Sequence, residues 1–382
     1  MKRYIFIVAA VALATISCSR HYDVNTPDPQ AIGFGTWADV MTKRTGPTDA
    51  MFAVNDNFNV FGSKVVGTTP SVVFNGDEVT LKSLGSDASS VNDDVWEYTP
   101  PRFWDANASG YTFYAIAPAG LVTGVTGDAI TTAATTGAFT TDQIVFDGTV
   151  ATDVLIAKKT PVAPTDFNKV VTLDFQHVGA IIDVKVKKSY TLKDATVKVK
   201  ALSLENILYK GTYKVEEYKD NSVAADENKP VVAIANWTPT TDVKTFSTAV
   251  TVPATIAAYG YSDSSVASPE NPVSGTVSDF FTNFVVMPQT LVAPNGTNPQ
   301  MIKITYEITT TIGEVTTFTD KTVAFSAFDV KDNKVNTDSA VAGWNPGTHY
   351  IYTLTLDVNK IDFTAKITNW ETTTYGYNNL VN

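Results

Sequence analysis

The sequence predicts an all-β protein made of two antiparallel β-sandwich domains in tandem. Apolar and polar residues alternate along many short segments rich in Val, Ile, Thr, Phe and Tyr, the pattern of half-buried strands. Clusters of Gly, Pro, Asn and Asp separate these segments, and helical periodicity over three turns is hard to find. At 382 residues the chain exceeds the length at which single cores usually stop growing, which favours two domains.

These features divide the chain into four parts. We assign residues 1–18 to a lipoprotein signal peptide and residues 19–30 to a polar, Pro-containing tether. The N-terminal sandwich is predicted over residues 31–180 and the C-terminal sandwich over residues 181–382. The boundary falls in the long strand pattern Val170 to Lys188, which can run from one sandwich into the other.

The signal peptide ends at the only cysteine of the chain. Lys2 and Arg3 precede an apolar run from Tyr4 to Ile16, which is the layout of a secretory signal and too short for a stable membrane span. The last residues, TISC, resemble a bacterial lipobox, so we expect Cys18 to be acylated on its thiol and to become the N-terminal residue of the mature protein. A palmitate-bearing Cys18 anchors the protein by burying its acyl chains in a membrane.

The strand patterns continue to the C-terminus. Each alternates apolar and polar residues over a length that suits one or two strands. They are YTFYAIAPA (111–119), DQIVFD (142–147), DVLIAKK (153–159), VVTLDFQHVGAIIDVKVKK (170–188), ATVKVKALSL (195–204), TFSTAVTVPATI (245–256), FTNFVVMPQTL (281–291), MIKITYEITTT (301–311) and THYIYTLTLDVNKIDFTAKITNW (348–370).

The composition argues against several classes of function. A net charge of -11 without clustered Lys and Arg disfavours a nucleic-acid partner. The three histidines His21, His177 and His349 stand apart from any recognisable nucleophile, so we predict no enzyme. No ligand pair at metal-binding spacing and no Gly-rich phosphate loop occurs in the sequence, so we predict no metal and no cofactor.

The segment WEYTPPRFWD, Trp96 to Asp105, concentrates aromatic residues around two prolines. Trp96, Tyr98 and Trp104, together with Arg102, could stack on a sugar ring, or their rings could cap a sandwich core. We favour the structural role. The alternative function that remains is a monomeric surface lipoprotein that binds glycans through this segment.

The first strand pattern after the tether stops at a dibasic pair. It runs from Ile32 to Val40, with Ile32, Phe34 and Val40 expected to reach the core of the first sandwich. Lys43-Arg44 follows, and then Gly46-Pro47, which makes an accessible turn. Arginine is otherwise rare in this chain, with Arg3, Arg20 and Arg102 the other examples.

The order of several segments resembles the fimbrillin family, the Mfa-like lipoprotein pilins of type V pili. The segments that carry the resemblance are IGFGTWADVMTKR, FNVFG, WEYTPPRFWD with YTFYAIAP, VTLDFQHVGAIIDVKVK, LENILYKGTY, VVMPQTL and GWNPGTHYIYTLTLDVNKIDFTAKITNW. They are spread over nearly all of the mature chain.

The resemblance implies two transthyretin-like sandwich domains and export as a lipoprotein to the cell outer membrane. It also implies cleavage by an arginine-specific protease after the first strand, and Arg44 is the matching position. Loss of that strand opens an apolar groove that a strand of another pilin subunit fills, so the expected partners are other pilin subunits and the expected role is adhesion by a fimbrium. We further expect Tyr350 to Trp370 to supply or support the donor strand, since this stretch alternates over a sufficient length.

Overall fold

A computed structural model gives the fold of the protein. It describes residues 30–38, 52–84, 94–122, 124–136, 139–146, 153–192, 194–217, 230–248, 254–255, 278–312, 315–329, 341–357 and 361–369. Strands dominate these residues, so the predicted all-β class is confirmed. Cys18, Val40 and Arg44 lie outside the described residues.

The N-terminal half is built on one seven-stranded sheet. Its spatial order is β1-β8-β7-β5-β2-β3-β4. The strands are β1 Phe34–Ala38, β2 Asn57–Val66, β3 Thr69–Ser83, β4 Val95–Glu97, β5 Gly110–Ala117, β7 Leu155–Val162 and β8 Val171–His177. The sheet curls so far that its two ends approach each other. Ala31, just before β1, forms an antiparallel bridge with Phe103, just after β4.

The curled sheet encloses the first hydrophobic core. Each of its seven strands contributes buried apolar side chains to one cluster, as period-2 alternation requires when one face is turned inward. Aromatic rings fill much of this interior, among them Phe58, Phe74, Phe113 and Phe175.

A second layer covers the outer face of the middle strands. It contains helix α1 Gly127–Thr136, β6 Phe139–Val145, β11 Lys210–Glu217, β12 Pro230–Val231 and β13 Trp237–Pro239. Strand β11 pairs with β6, β12 and β13. Phe61 and Tyr114 of the curled sheet pack here with Tyr213 and Trp237 in a second core.

The C-terminal half is a sandwich of two sheets. One sheet has the order β14-β10-β18-β19, with β15 also on β10, and the other has the order β16-β9-β21-β22. A short ladder joins β17 to β20. The strands are β9 Ala180–Lys188, β10 Thr196–Leu208, β14 Val243–Ser247, β15 Ala254–Thr255, β16 Ser278–Val286, β17 Gln289–Thr290, β18 Met301–Ile312, β19 Val315–Ser326, β20 Gly343–Trp344, β21 Thr348–Leu356 and β22 Ile361–Asn369. Inward side chains of β9, β10, β18 and β21 form the third core.

The long strand pattern from Val170 to Lys188 is divided between the two halves. β8 ends at His177 in the curled sheet, whereas β9 begins at Ala180 in the C-terminal sandwich. We therefore propose Gly179 as the point where the chain passes from one sandwich to the other. The pairing of β6 with β11 still crosses this point, so the two halves share the second layer.

Two details differ from the sequence expectation. The pairing is mainly antiparallel, but β1 runs parallel to β8 and β9 runs parallel to β21, because these partners lie far apart in the chain and are not joined by hairpins. The sequence also gave little sign of α1, whose buried Ile130 and Ala133 stand among threonines.

In the described part of the chain no helix is long and apolar enough to cross a membrane.

Candidate assembly site

The predicted first strand is an integral part of the first core. Ile32 and Phe34 are buried, with exposed fractions of 1% and 3%. Burial of two such side chains contributes about 1.5–3 kcal/mol each to the free energy of unfolding. The first sandwich therefore needs a strand at this position, either β1 itself or another strand that buries equivalent side chains.

One wall of the groove that holds β1 is strand β8. The two strands run parallel, with Phe34 opposite Val171 and Ala38 opposite Phe175. The backbone N–H of Val171 donates a hydrogen bond to the carbonyl of Gly33 at 2.8 Å. If β1 left, this side of β8 would present unpaired backbone groups.

The opposite wall is the segment that the sequence analysis singled out for its aromatic residues. The backbone N–H of Ile32 donates to the carbonyl of Arg102 at 2.8 Å, and the Tyr98 hydroxyl donates to the carbonyl of Ile32 at 2.7 Å. The backbone N–H of Trp104 donates to the carbonyl of Gln30 at 3.4 Å. The beginning of the β1 segment is thus bonded on both sides.

The floor of the groove is an aromatic pocket around Phe34. Four rings meet the Phe34 ring edge-on, with centroid distances of 5.5 to 6.2 Å. These rings belong to Phe58, Phe74, Tyr98 and Phe113. An aromatic side chain fits this pocket because edge-to-face contacts are favourable at such distances.

The predicted ligand-contact residues are divided between the core and the groove wall. Trp96 and Trp104 are buried, with 9% and 8% of their surface exposed. Trp96 packs on Phe58 with ring centroids 5.0 Å apart, and Trp104 stacks on Phe167 at 4.8 Å. Because both indole rings lie against the core, neither face is free to stack on a sugar, and the structural interpretation of this segment accounts for their positions.

Arg102 and Tyr98 are held by neighbouring groups. The Arg102 guanidinium forms an ion pair with Asp77 at 3.1 Å and donates to the carbonyl of Val73 at 3.1 Å. Burial raises the pKa of the Tyr98 hydroxyl above its usual value, so this group is a protonated donor at neutral pH. The aromatic segment therefore closes the sheet over β1.

In the predicted donor stretch Tyr350 to Trp370, the structure argues against donation by the first half, whereas a role in supporting the donor strand stays a prediction. Its first half is β21, a central strand between β9 and β22. Tyr350, Tyr352, Leu354 and Leu356 of β21 are almost completely buried in the third core. This half cannot leave its own sandwich without dismantling it. β22 pairs with β21 over its whole length, and residues 370–382 lie outside the described residues.

The two described histidines pair with buried carboxylates. The Nδ1 of His177 lies 2.9 Å from a carboxylate oxygen of Asp153, and the Nε2 of His349 lies 3.2 Å from Asp183. Both sites lie near the passage between the halves, since His349 stands opposite Ile181. His21 lies outside the described residues. Within the part of the chain that the structure describes, no three His, Cys, Asp or Glu side chains are grouped as metal ligands.

The sequence analysis missed several residues that line the groove. Phe58 and Phe113 stand in β2 and β5, which are buried on both faces, and Phe74 stands in β3, so their strand patterns do not show that the three rings share one pocket. Their convergence on Phe34 depends on the curl of the sheet. The alternation of Ile32 and Phe34 was the signal that the sequence offered.

A sequence profile described as fimbrillin-like matches residues 42–370. The chain belongs to the fimbrillin-like family. A curated relative of this fimbrillin-like protein is fimbrium subunit Fim1C of Phocaeicola vulgatus, 22% identical over 96% of this chain and 95% of the relative. A crystal structure of a fimbrial protein from Bacteroides vulgatus has a TM-score of 0.53 and 18% identity, covering 88% of this chain and 99% of that one. The latter similarity supports the fold, a pair of β-sandwiches.

Proposed function

We propose that this fimbrillin-like chain is a structural or accessory subunit of a type V pilus that assembles by strand exchange at the β1 groove and serves cell adhesion. The observation that carries the proposal is that β1 fills a groove with two hydrogen-bonding walls and an aromatic floor. The fimbrial relative supports the same function. The role is structural, and the partners are other pilin subunits.

Proteolysis after Arg44 activates the subunit. The dibasic pair follows β1 within a few residues, so a cut there detaches the strand from the rest of the sandwich without touching the groove. Of the arginines after Cys18, Arg102 is tied into an ion pair and a backbone hydrogen bond. An arginine-specific protease therefore meets a less accessible target at Arg102.

The replacing strand comes from the C-terminal tail of another copy. Residues 370–382, when extended, span about 40 Å at 3.3 Å per residue, enough for a strand longer than β1. Tyr375-Gly376-Tyr377 repeats the spacing of Ile32-Gly33-Phe34, with large side chains two positions apart. Two side chains at this spacing point to the same face of a strand and can fill the Ile32 and Phe34 positions.

Deleting residues 371–382 tests this assembly mode. We expect a precursor that folds and is exported, because β22 and its pairing with β21 remain intact. After protease treatment the deleted protein should give monomers where the parent gives heat-stable ladders on a gel. A variant with Thr372, Thr373 and Thr374 changed to Ser is the control, since it keeps the tail. Ladders of parental length from the deleted protein would place the donor strand elsewhere.

The lipid on Cys18 holds the precursor in the outer membrane before assembly. We expect Cys18→Ala to abolish incorporation of labelled palmitate and to move the protein out of the membrane fraction, because the thiol is the only acylation point at the end of the signal. Ser19→Ala, next to the cysteine, should label like the parent. Unchanged labelling of Cys18→Ala would contradict the lipoprotein assignment.

A further inference from the structure

We propose that Tyr98 and Arg102 form a clamp that sets the register of whichever strand occupies the β1 groove, either β1 itself or the tail of a second copy that replaces it. The proposal deepens the proposed function and rests on it for the second occupant. Tyr98 and Arg102 are positioning residues here, since they act on the main chain of the bound strand.

The clamp forms hydrogen bonds with main-chain groups of the bound strand. The Tyr98 hydroxyl donates to the carbonyl of Ile32 at 2.7 Å, and the Arg102 carbonyl accepts from the N–H of the same residue at 2.8 Å. One residue of the bound strand is therefore gripped through both of its peptide groups. Any residue except proline offers these groups, so a strand of different sequence can be bound in the same way.

The clamp keeps its shape without β1. The Arg102 guanidinium donates from Nε to the carbonyl of Val73 and from Nη2 to the carboxylate of Asp77, both on β3. The Arg102 backbone N–H donates to the Tyr98 hydroxyl at 3.2 Å. The Tyr98 ring packs edge-on against Phe74, with centroids 5.3 Å apart. Each of these contacts is to the sandwich that stays after strand removal.

A gripped residue next to a side-chain pocket defines the register. Ile32 is gripped on one side, Gly33 accepts from Val171 on the other, and Phe34 enters the aromatic pocket directly afterwards. A slip by one residue would turn every inward side chain of the strand outward. The clamp and the pocket thus fix the register together: the clamp holds the main chain, and the pocket is filled only when large side chains two positions apart, such as Tyr375 and Tyr377 of the tail, face inward.

Tyr98→Phe keeps the ring and removes the hydroxyl, and with it both the bond to the Ile32 carbonyl and the acceptor of the Arg102 N–H. The matched control is Tyr111→Phe: the Tyr111 hydroxyl accepts from the N–H of Asp105 at 2.7 Å in the same core, and its bond does not involve the β1 segment. In the uncleaved, full-length chain, we measure amide hydrogen exchange of residues 30–38. We expect exchange at least about fivefold faster in Tyr98→Phe, the effect of losing the bond to Ile32, and parental exchange in Tyr111→Phe.

This measurement is independent of cleavage and of polymer formation. Equal exchange in the two variants, whether both parental or both faster, would overturn the clamp, because the effect would then not be specific to the Tyr98 hydroxyl. The second occupant is tested on assembled polymers, where Tyr98→Phe should increase the rate of subunit loss about fivefold relative to Tyr111→Phe. Equal rates of loss would overturn the claim that the clamp also holds the replacing strand. Failure of the parent to polymerise would refute the proposed function, and the exchange result on the intact chain would still decide whether the clamp holds β1.

Discussion

Arg44→Ala is expected to give a folded, exported precursor that stays monomeric when an arginine-specific protease is added. The substitution leaves the sequence of β1 unchanged, so the sandwich keeps the buried side chains of Ile32 and Phe34. With β1 still connected to the chain, any strand that displaces it competes with an intramolecular partner at high effective concentration. We expect loss of essentially all heat-stable ladders, measured on gels after protease treatment, relative to the parent.

Three further variants serve as controls for this test. Lys43→Ala keeps the arginine and should be converted and polymerise like the parent, whereas Arg44→Lys should remain uncut by an arginine-specific protease. Arg20→Ala should also behave like the parent, because a cut after Arg20 leaves β1 attached to the sandwich. Polymerisation of Arg44→Ala at the parental rate would show that strand removal at this position is not how the subunit is activated.

Phe34→Ala is expected to destabilise the uncleaved precursor by about 3–5 kcal/mol, the usual loss for a buried phenylalanine. The side chain is 3% exposed and meets the rings of Phe58, Phe74, Tyr98 and Phe113, so its removal leaves a cavity among these rings. The free energy of unfolding follows from the urea midpoint of the first transition.

The matched control is Phe318→Ala on β19, because that side chain is 66% exposed and its loss should change the free energy of unfolding by less than about 0.5 kcal/mol.

Assembly provides a second comparison. If β1 is removed on assembly, polymers made from Phe34→Ala precursors should resist heat as well as parental polymers. Polymers weakened by Phe34→Ala would mean that β1 remains in the assembled subunit, and equal stability losses for the two precursors would contradict the burial of Phe34.

The inward face of β1 was predictable from the sequence, whereas the strands and segments that flank β1 in its groove were not. The alternation of Ile32 and Phe34 shows that both side chains share one face of a strand, but not which strands flank them. The neighbours are Val171 and Arg102, each tens of residues away along the chain. Sequence alternation determines which face is inward, whereas the choice of partner depends on the closure of the whole sheet.

The sequence by itself determined the strand class, the two-sandwich length, the signal-like N-terminus with its single cysteine, and the position of a dibasic pair after the first strand, because these depend on local pattern and composition. The tertiary structure alone decided the role of Trp96 to Trp104: its indoles enter the core, while Tyr98 and Arg102 grip β1. It also decided that β21 is a central strand, whose buried side chains argue against a donor role. Both outcomes arise from contacts between distant segments, which form only when the sheets curl and pack, and no local pattern encodes them.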